Sequence, residues 1–178
     1  MDRCLRPVGR RAKGLHAQRS GQSIVEFALA IPVFLALLFG TVDVGLLFKT
    51  RGSYQEAAQQ AVRVVADTGG TDLEALNWLR MTLSVENMNS IVSVTFYQAD
   101  VGGGYLHPDL PTTFTTYKYT PGASFSQVGP GWTSRSTQAS SLDQIGVAIT
   151  YHYTSITHAI PPLTMTQSAS AQMEPTSY

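Results

Sequence analysis

Gly21-Gln-Ser-Ile-Val-Glu-Phe-Ala-Leu-Ala-Ile-Pro-Val-Phe-Leu-Ala-Leu-Leu-Phe-Gly40, continuing to Phe48, is the stretch that decides the fold. From Ile24 to Phe48 the only ionisable residues are Glu26 and Asp43. A helix rising about 1.5 Å per residue crosses a hydrocarbon core of ~30 Å with roughly 20 residues, so this run is long enough to span. Its sixteen Leu, Ile, Val and Phe side chains favour insertion by roughly −5 to −10 kcal/mol in total. A central Asp costs about +2.5 to +3.5 kcal/mol, and both acids lie near the ends, where the cost falls. The balance predicts a membrane helix over residues 22–48.

The charge pattern orients that helix. The chain has 178 residues and a formal net charge of zero, yet Arg3, Arg6, Arg10, Arg11, Lys13 and Arg19 stand against Asp2 alone in the first 19 residues. Positive flanks stay in the cytoplasm, so residues 1–21 read as a disordered cytoplasmic leader, and everything after Phe48 as exported. Beside a membrane span, topology explains the basic leader better than nucleic-acid binding does. From Lys49 onward there are six basic and nine acidic residues, with no bias toward a polyanion. Cys4 is the sole cysteine and lies in the leader, so no disulfide within the exported part is possible and its stability must come from packing. Ala28-Leu-Ala30 offers a secretory cleavage pattern. It falls early in the apolar run, though, and cutting there would leave an apolar N-terminus.

Arg19-Ser-Gly-Gln-Ser-Ile-Val-Glu-Phe-Ala-Leu29, Pro32 and Ala57-Ala-Gln-Gln-Ala-Val-Arg63 together resemble the TadE-like minor pilins (pseudopilins) of the tight-adherence, type IVc pilus system. The resemblance covers roughly residues 19–67. It implies that a prepilin peptidase cuts between Gly21 and Gln22, where Gly leaves the backbone accessible and extended, and that Glu26 becomes the fifth mature residue. In pilins that Glu serves as a register device, meeting the free α-amino group of a neighbouring subunit. A misregistered subunit would bury two unpaired charges. The implied partners are the prepilin peptidase, the major and other minor pilins, the inner-membrane assembly platform and membrane lipid. Two departures are visible: Gln22 replaces the bulky residue frequent after the cut, and the exported domain exceeds that of the small major pilins. The second favours a minor component. Taken without the resemblance, Glu26 reads as an acid at a membrane interface.

Pro32 removes a backbone hydrogen bond and predicts a kink or local melting in the helix. Asp43 lies about 25 Å beyond Glu26 along a helix, near the outer interface, where it reads as a carboxylate among headgroups or else as a specific contact with a partner. Ala57, Ala58, Ala61, Val62, Val65 and Ala66 recur at three- and four-residue spacing, so the helix continues over 49–69 with a face for packing on protein, until Gly69-Gly70. Thr71-Asp-Leu-Glu74 matches a capping box opening a short amphipathic helix through Leu83. Ile91–Tyr97 and Gln144–Tyr153 alternate as strands; Thr115–Tyr119 and Thr164–Met173 are weaker strand candidates. Gly102–Ser141 reads as turns and long loops rich in Ser and Thr, either functional or simply connecting. The expected fold is α+β: a long N-terminal transmembrane helix extending into a small extracytoplasmic domain (70–178) with a 3–4-stranded antiparallel sheet packed on the helix.

Catalytic constellations are not evident. His16, His107, His152 and His158 show no metal-ligand spacing, no Ser sits in a nucleophile elbow, and Gly102–Gly104 lacks the strand-to-helix setting of a phosphate loop. The expectation is no enzyme, no cofactor, no metal and no nucleic acid. The rival reading is a membrane-anchored extracytoplasmic binding or sensory domain that is neither cut nor polymerised.

Overall fold

A computed structural model describes residues 22–67, 71–122, 124–132, 135–136, 142–157 and 160–175, together with the backbone of 15–21. Most of the leader, Gly69, Gly70 and His158 lie outside these residues. The chain divides into two units, Met1–Val42 and Asp43–Tyr178.

Helix α1 (Leu15–Ala66) is unbroken, Pro32 included. The sequence reading starts the membrane helix at residue 22; the helical backbone begins seven residues earlier, at Leu15. Leu15, His16, Ala17, Gln18, Arg19 and Ser20 contain no breaker, and Gly21 costs only about 1 kcal/mol relative to Ala, which a helix of this length tolerates. In the first unit, Ile24, Phe27, Leu29, Phe34 and Leu37 are each about two-thirds exposed or more. A stretch starting at Gln22 is long and apolar enough to cross a membrane, with none of its most apolar window buried in the protein. Thr41 donates its hydroxyl to the Leu37 carbonyl at 2.8 Å, so even this polar side chain is satisfied within the helix.

In the second unit α1 changes partner. Ala57, Ala58, Ala61, Val62, Val65 and Ala66 are buried and share one core with the sheet. The other side of this core is α2 (Asp72–Thr82) and the facing row of the sheet. The capping box at α2 is present: the Glu74 amide donates to Thr71 Oγ1 at 3.4 Å, and the Thr71 amide donates to Glu74 Oε2 at 3.0 Å. Ala75, Leu76 and Leu79 point inward, whereas Leu73 is exposed. A second short helix, α3 (Val85–Ser90), capped by Ser84, precedes the first strand. No apolar period marks it in the sequence.

The sheet is wholly antiparallel, with strands β1 (Ile91–Gln98), β2 (Phe114–Tyr119), β3 (Phe125–Val128), β4 (Gln144–Tyr153) and β5 (Leu163–Gln172) in the order β3-β2-β1-β4-β5. The α+β class is as expected, and the sheet has one strand beyond the expected three or four. The additional strand, β3, is four residues long, too short for alternation to show, and is set by the turn after Tyr119 in which Gly122 takes φ +78°. Ile145, Val147, Ile149, Tyr151 and Tyr153 line one face of β4 and are all buried against α1. Tyr151 stacks on Tyr54 of α1 at 3.7 Å between ring centroids, and the Tyr54 hydroxyl donates to the Asn87 carbonyl at 2.6 Å.

A smaller cluster covers the opposite face: Tyr97, Ala99, Ala148 and Phe114, with Tyr105 stacked on Tyr97 at 3.8 Å. Tyr97 pairs across the strands with Gly146, and a Cβ placed on Gly146 would sit 2.2 Å from the tyrosine ring.

Candidate functional site

Two places on α1 concentrate the chemistry that the sequence singles out, and they lie in different units.

At the first, Gly21 has a helical backbone, so the extended conformation suited to a cleavage site is not the one it adopts. Gln22 and Glu26 are one turn apart and exposed, and the Gln22 side-chain amide donates to Glu26 Oε1 at 3.1 Å. Glu26 therefore carries a neutral local partner and leaves its charge available to another group. Pro32 is exposed and interior to the helix.

At the second, Asp43 is fully buried. The sequence reading places it among headgroups or in a contact with a partner; the contact found is instead made within the chain. The connection after β4 folds over the helix, where the Ser155 hydroxyl donates to Asp43 Oδ2 at 2.6 Å and the Thr157 hydroxyl donates to the same oxygen. The Tyr153 hydroxyl donates to the Asp43 backbone carbonyl at 3.1 Å. Asp43 Oδ1 receives no hydrogen bond, the one such buried side-chain atom among the described residues. Burial pushes the Tyr153 phenol up from its ordinary range, and the nearby Asp43 charge adds to this. Ser155 and Thr157 stand 112 and 114 residues from Asp43, a separation no local pattern can signal. The available hint was a Ser-x-Thr triplet just after the clearest strand, together with an unexplained acid in an apolar helix.

The long Ser/Thr-rich region is tied down at its described points. Asp72, at the first turn of α2, pairs with Arg135 at 2.5 Å and accepts the Tyr117 hydroxyl at 3.2 Å. Arg135 also lies over the Trp132 ring, 4.8 Å from its centroid. The Trp132 amide donates to Thr115 Oγ1 at 2.7 Å. Desolvation, with Asp72 alongside, pushes the Tyr117 phenol up to about 12.

A groove of about 620 Å³ runs beside α1 and α3, lined by Lys49, Ser53, Glu56, Glu86 and His152 among others. His152 is occupied with Thr164, whose hydroxyl lies 2.9 Å from Nδ1. Among the described residues no group of three or more His, Cys, Asp or Glu is placed to hold a metal ion.

No curated protein and no solved structure matches the chain. A family model does match: its description is TadE-like protein, and it covers residues 21–63, from the Gly21 backbone through Glu26, Pro32 and Asp43 to the buried alanines of α1. The sheet and its loops lie beyond it. Residues 21–63 thus carry the TadE-like signature, consistent with a TadE-like protein of the tight-adherence system.

Proposed function

We propose that this chain is a minor pilin (pseudopilin) of a tight-adherence, Flp-type pilus, made as a precursor and cut by a prepilin peptidase between Gly21 and Gln22. One observation carries the reading. The family match begins at Gly21 and includes Glu26 and the whole exposed apolar run, so the residues that peptidase recognition and subunit registration need stand together on one helix.

In this reading the basic leader stays in the cytoplasm, residues 22–48 cross the inner membrane, and the α+β domain lies outside. Cutting frees the α-amine of Gln22. A neighbouring subunit's Glu26 then meets that amine, and the pairing rewards one axial register because each charge is costly to leave alone in a medium of low dielectric. The chain works through protein contacts, with the major and other minor pilins and the assembly platform, in pilus assembly or adhesion. It is not an enzyme and requires no cofactor.

The deciding experiment is the N-terminal residue of the protein purified from its native membrane. The expected start is Gln22. A start at Met1, in a host with an active prepilin peptidase, overturns the proposal and leaves the anchored binding domain in its place.

A further inference from the structure

The connection between β4 and β5 has an unusual composition for a surface turn. From Thr154 to Pro162 it contains no Asp, Glu, Lys or Arg. Ile156 is 72% exposed, and Pro161, Pro162 and Leu163 are exposed as well. Scattered single apolar residues on a surface need no explanation. In this connection Ile156 is held in place. The residues on either side of Ile156 both donate their hydroxyls to the buried Asp43 carboxylate, and the backbone amides of Ile156 and Thr157 face the same group. Ile156 is thereby fixed next to Asp43 and turned outward.

The position of Asp43 supplies the partner. It lies five residues before Phe48, where the apolar run ends, which is about 7.5 Å along a helix axis. Val44 and Phe48, on the same stretch of α1, are themselves largely exposed. A side chain pinned to Asp43 therefore sits at the level of apolar helix, short of Lys49 and Arg51. That is the depth, about 5–10 Å into the headgroup and acyl boundary, at which interfacial apolar residues settle.

We propose that the β4–β5 connection is a second membrane contact, with Ile156 and the Pro161–Leu163 segment resting in the lipid interface beside α1. The partner is the bilayer surface, and Asp43 with Ser155 and Thr157 is the clasp that presents the connection to it. The proposal rests on residues 22–48 spanning the membrane.

The test uses the full chain in a Cys4→Ser background, reconstituted at low density in phosphatidylcholine–phosphatidylglycerol vesicles. Single cysteines at Ile156, Val101 or Leu37 carry an environment-sensitive fluorophore, read against lipids bearing a nitroxide at a shallow or a deep acyl carbon. The expected result is quenching at 156 by the shallow nitroxide more than by the deep one, at 37 by the deep one, and at 101, which is 98% exposed, by neither. If position 156 behaves like 101 while 37 is quenched, the proposal is overturned and the span stands. If 37 is not quenched, the span fails and the proposal falls with it. A blue-shifted, unquenched label at 156 that becomes water-like as lipid is added means a second copy covers the loop, and this too overturns it.

Discussion

Glu26 and Asp43 are the two carboxylates in one apolar stretch of one helix, and the protein treats them in opposite ways. Glu26 is exposed, with a neutral amide one turn away as its partner. Asp43 is buried, with hydroxyls brought from a connection more than a hundred residues downstream. An acid in an apolar setting must find donors. The first takes its donor from its own helix turn, and the second takes its donors from a segment brought over it by the fold. Isolated acids in an apolar helix are thus not one class of feature. The difference lies in whether their donors are local or supplied by tertiary structure.

The contrast between the two acids breaks most sharply at Asp43. Asp43→Ala removes the acceptor that the Ser155 and Thr157 hydroxyls share. It should lower thermal stability more than Ser155→Ala, Arg135→Ala or Thr71→Ala does, measured by near-ultraviolet circular dichroism of the full chain in detergent. Ser155→Ala, which removes one donor to a charged group, should cost about 1.5–3 kcal/mol. An unchanged melting midpoint for Asp43→Ala would mean that the clasp is not a stabilising contact.

Asp72 is a third acid and sharpens the contrast, because its partner Arg135 is charged. Arg135→Ala leaves Asp72 largely buried with the Tyr117 hydroxyl, and should cost about 1–3 kcal/mol by chemical denaturation. The same cluster titrates. The phenol of Tyr117 is raised in the folded state, so its contribution is intact below pH 10.0 and is lost as pH climbs through about 12. Tyr117→Phe should shrink the alkaline loss of stability without abolishing it, since burial also raises Tyr97 and Tyr151. Thr71→Ala removes the capping box of α2 and should cost about 1 kcal/mol.

Glu26→Ala should have the smallest effect on stability, within about 0.5 kcal/mol, while membrane insertion is retained. Its expected consequence is reduced incorporation into pili, read by immunoblot of sheared fibres. Normal incorporation would count against a register role for Glu26.

Local periodicity made much of the fold legible. The long helix, the capping box, and strands β1 and β4 announce themselves through spacing, β2 and β5 show only as weaker candidates, and the buried face Ala57, Ala58, Ala61 and Val62 is written in the helical period. What stayed hidden depends on distant pairing. β3 is four residues in a Gly- and Ser-rich region, α3 has no apolar face, and the strand order follows from which edges meet. Arg135 and Trp132 gave no sign that they fasten a loop onto Asp72. The clasp on Asp43 was the largest omission, because its donors become neighbours of the helix only once the β4–β5 hairpin has formed.

The Tyr97–Gly146 pair has a consequence for how this domain can change over time. The tyrosine ring occupies the space a side chain at 146 would need, so any larger residue there is blocked while Tyr97 remains. Loss of the ring, in turn, leaves a bare glycine uncovered near the start of β4. Neither position can drift alone: Gly146→Ala is harmful with Tyr97 present and tolerable after Tyr97→Leu. The two sites form an epistatic unit, in which the order of substitutions decides which descendants are viable.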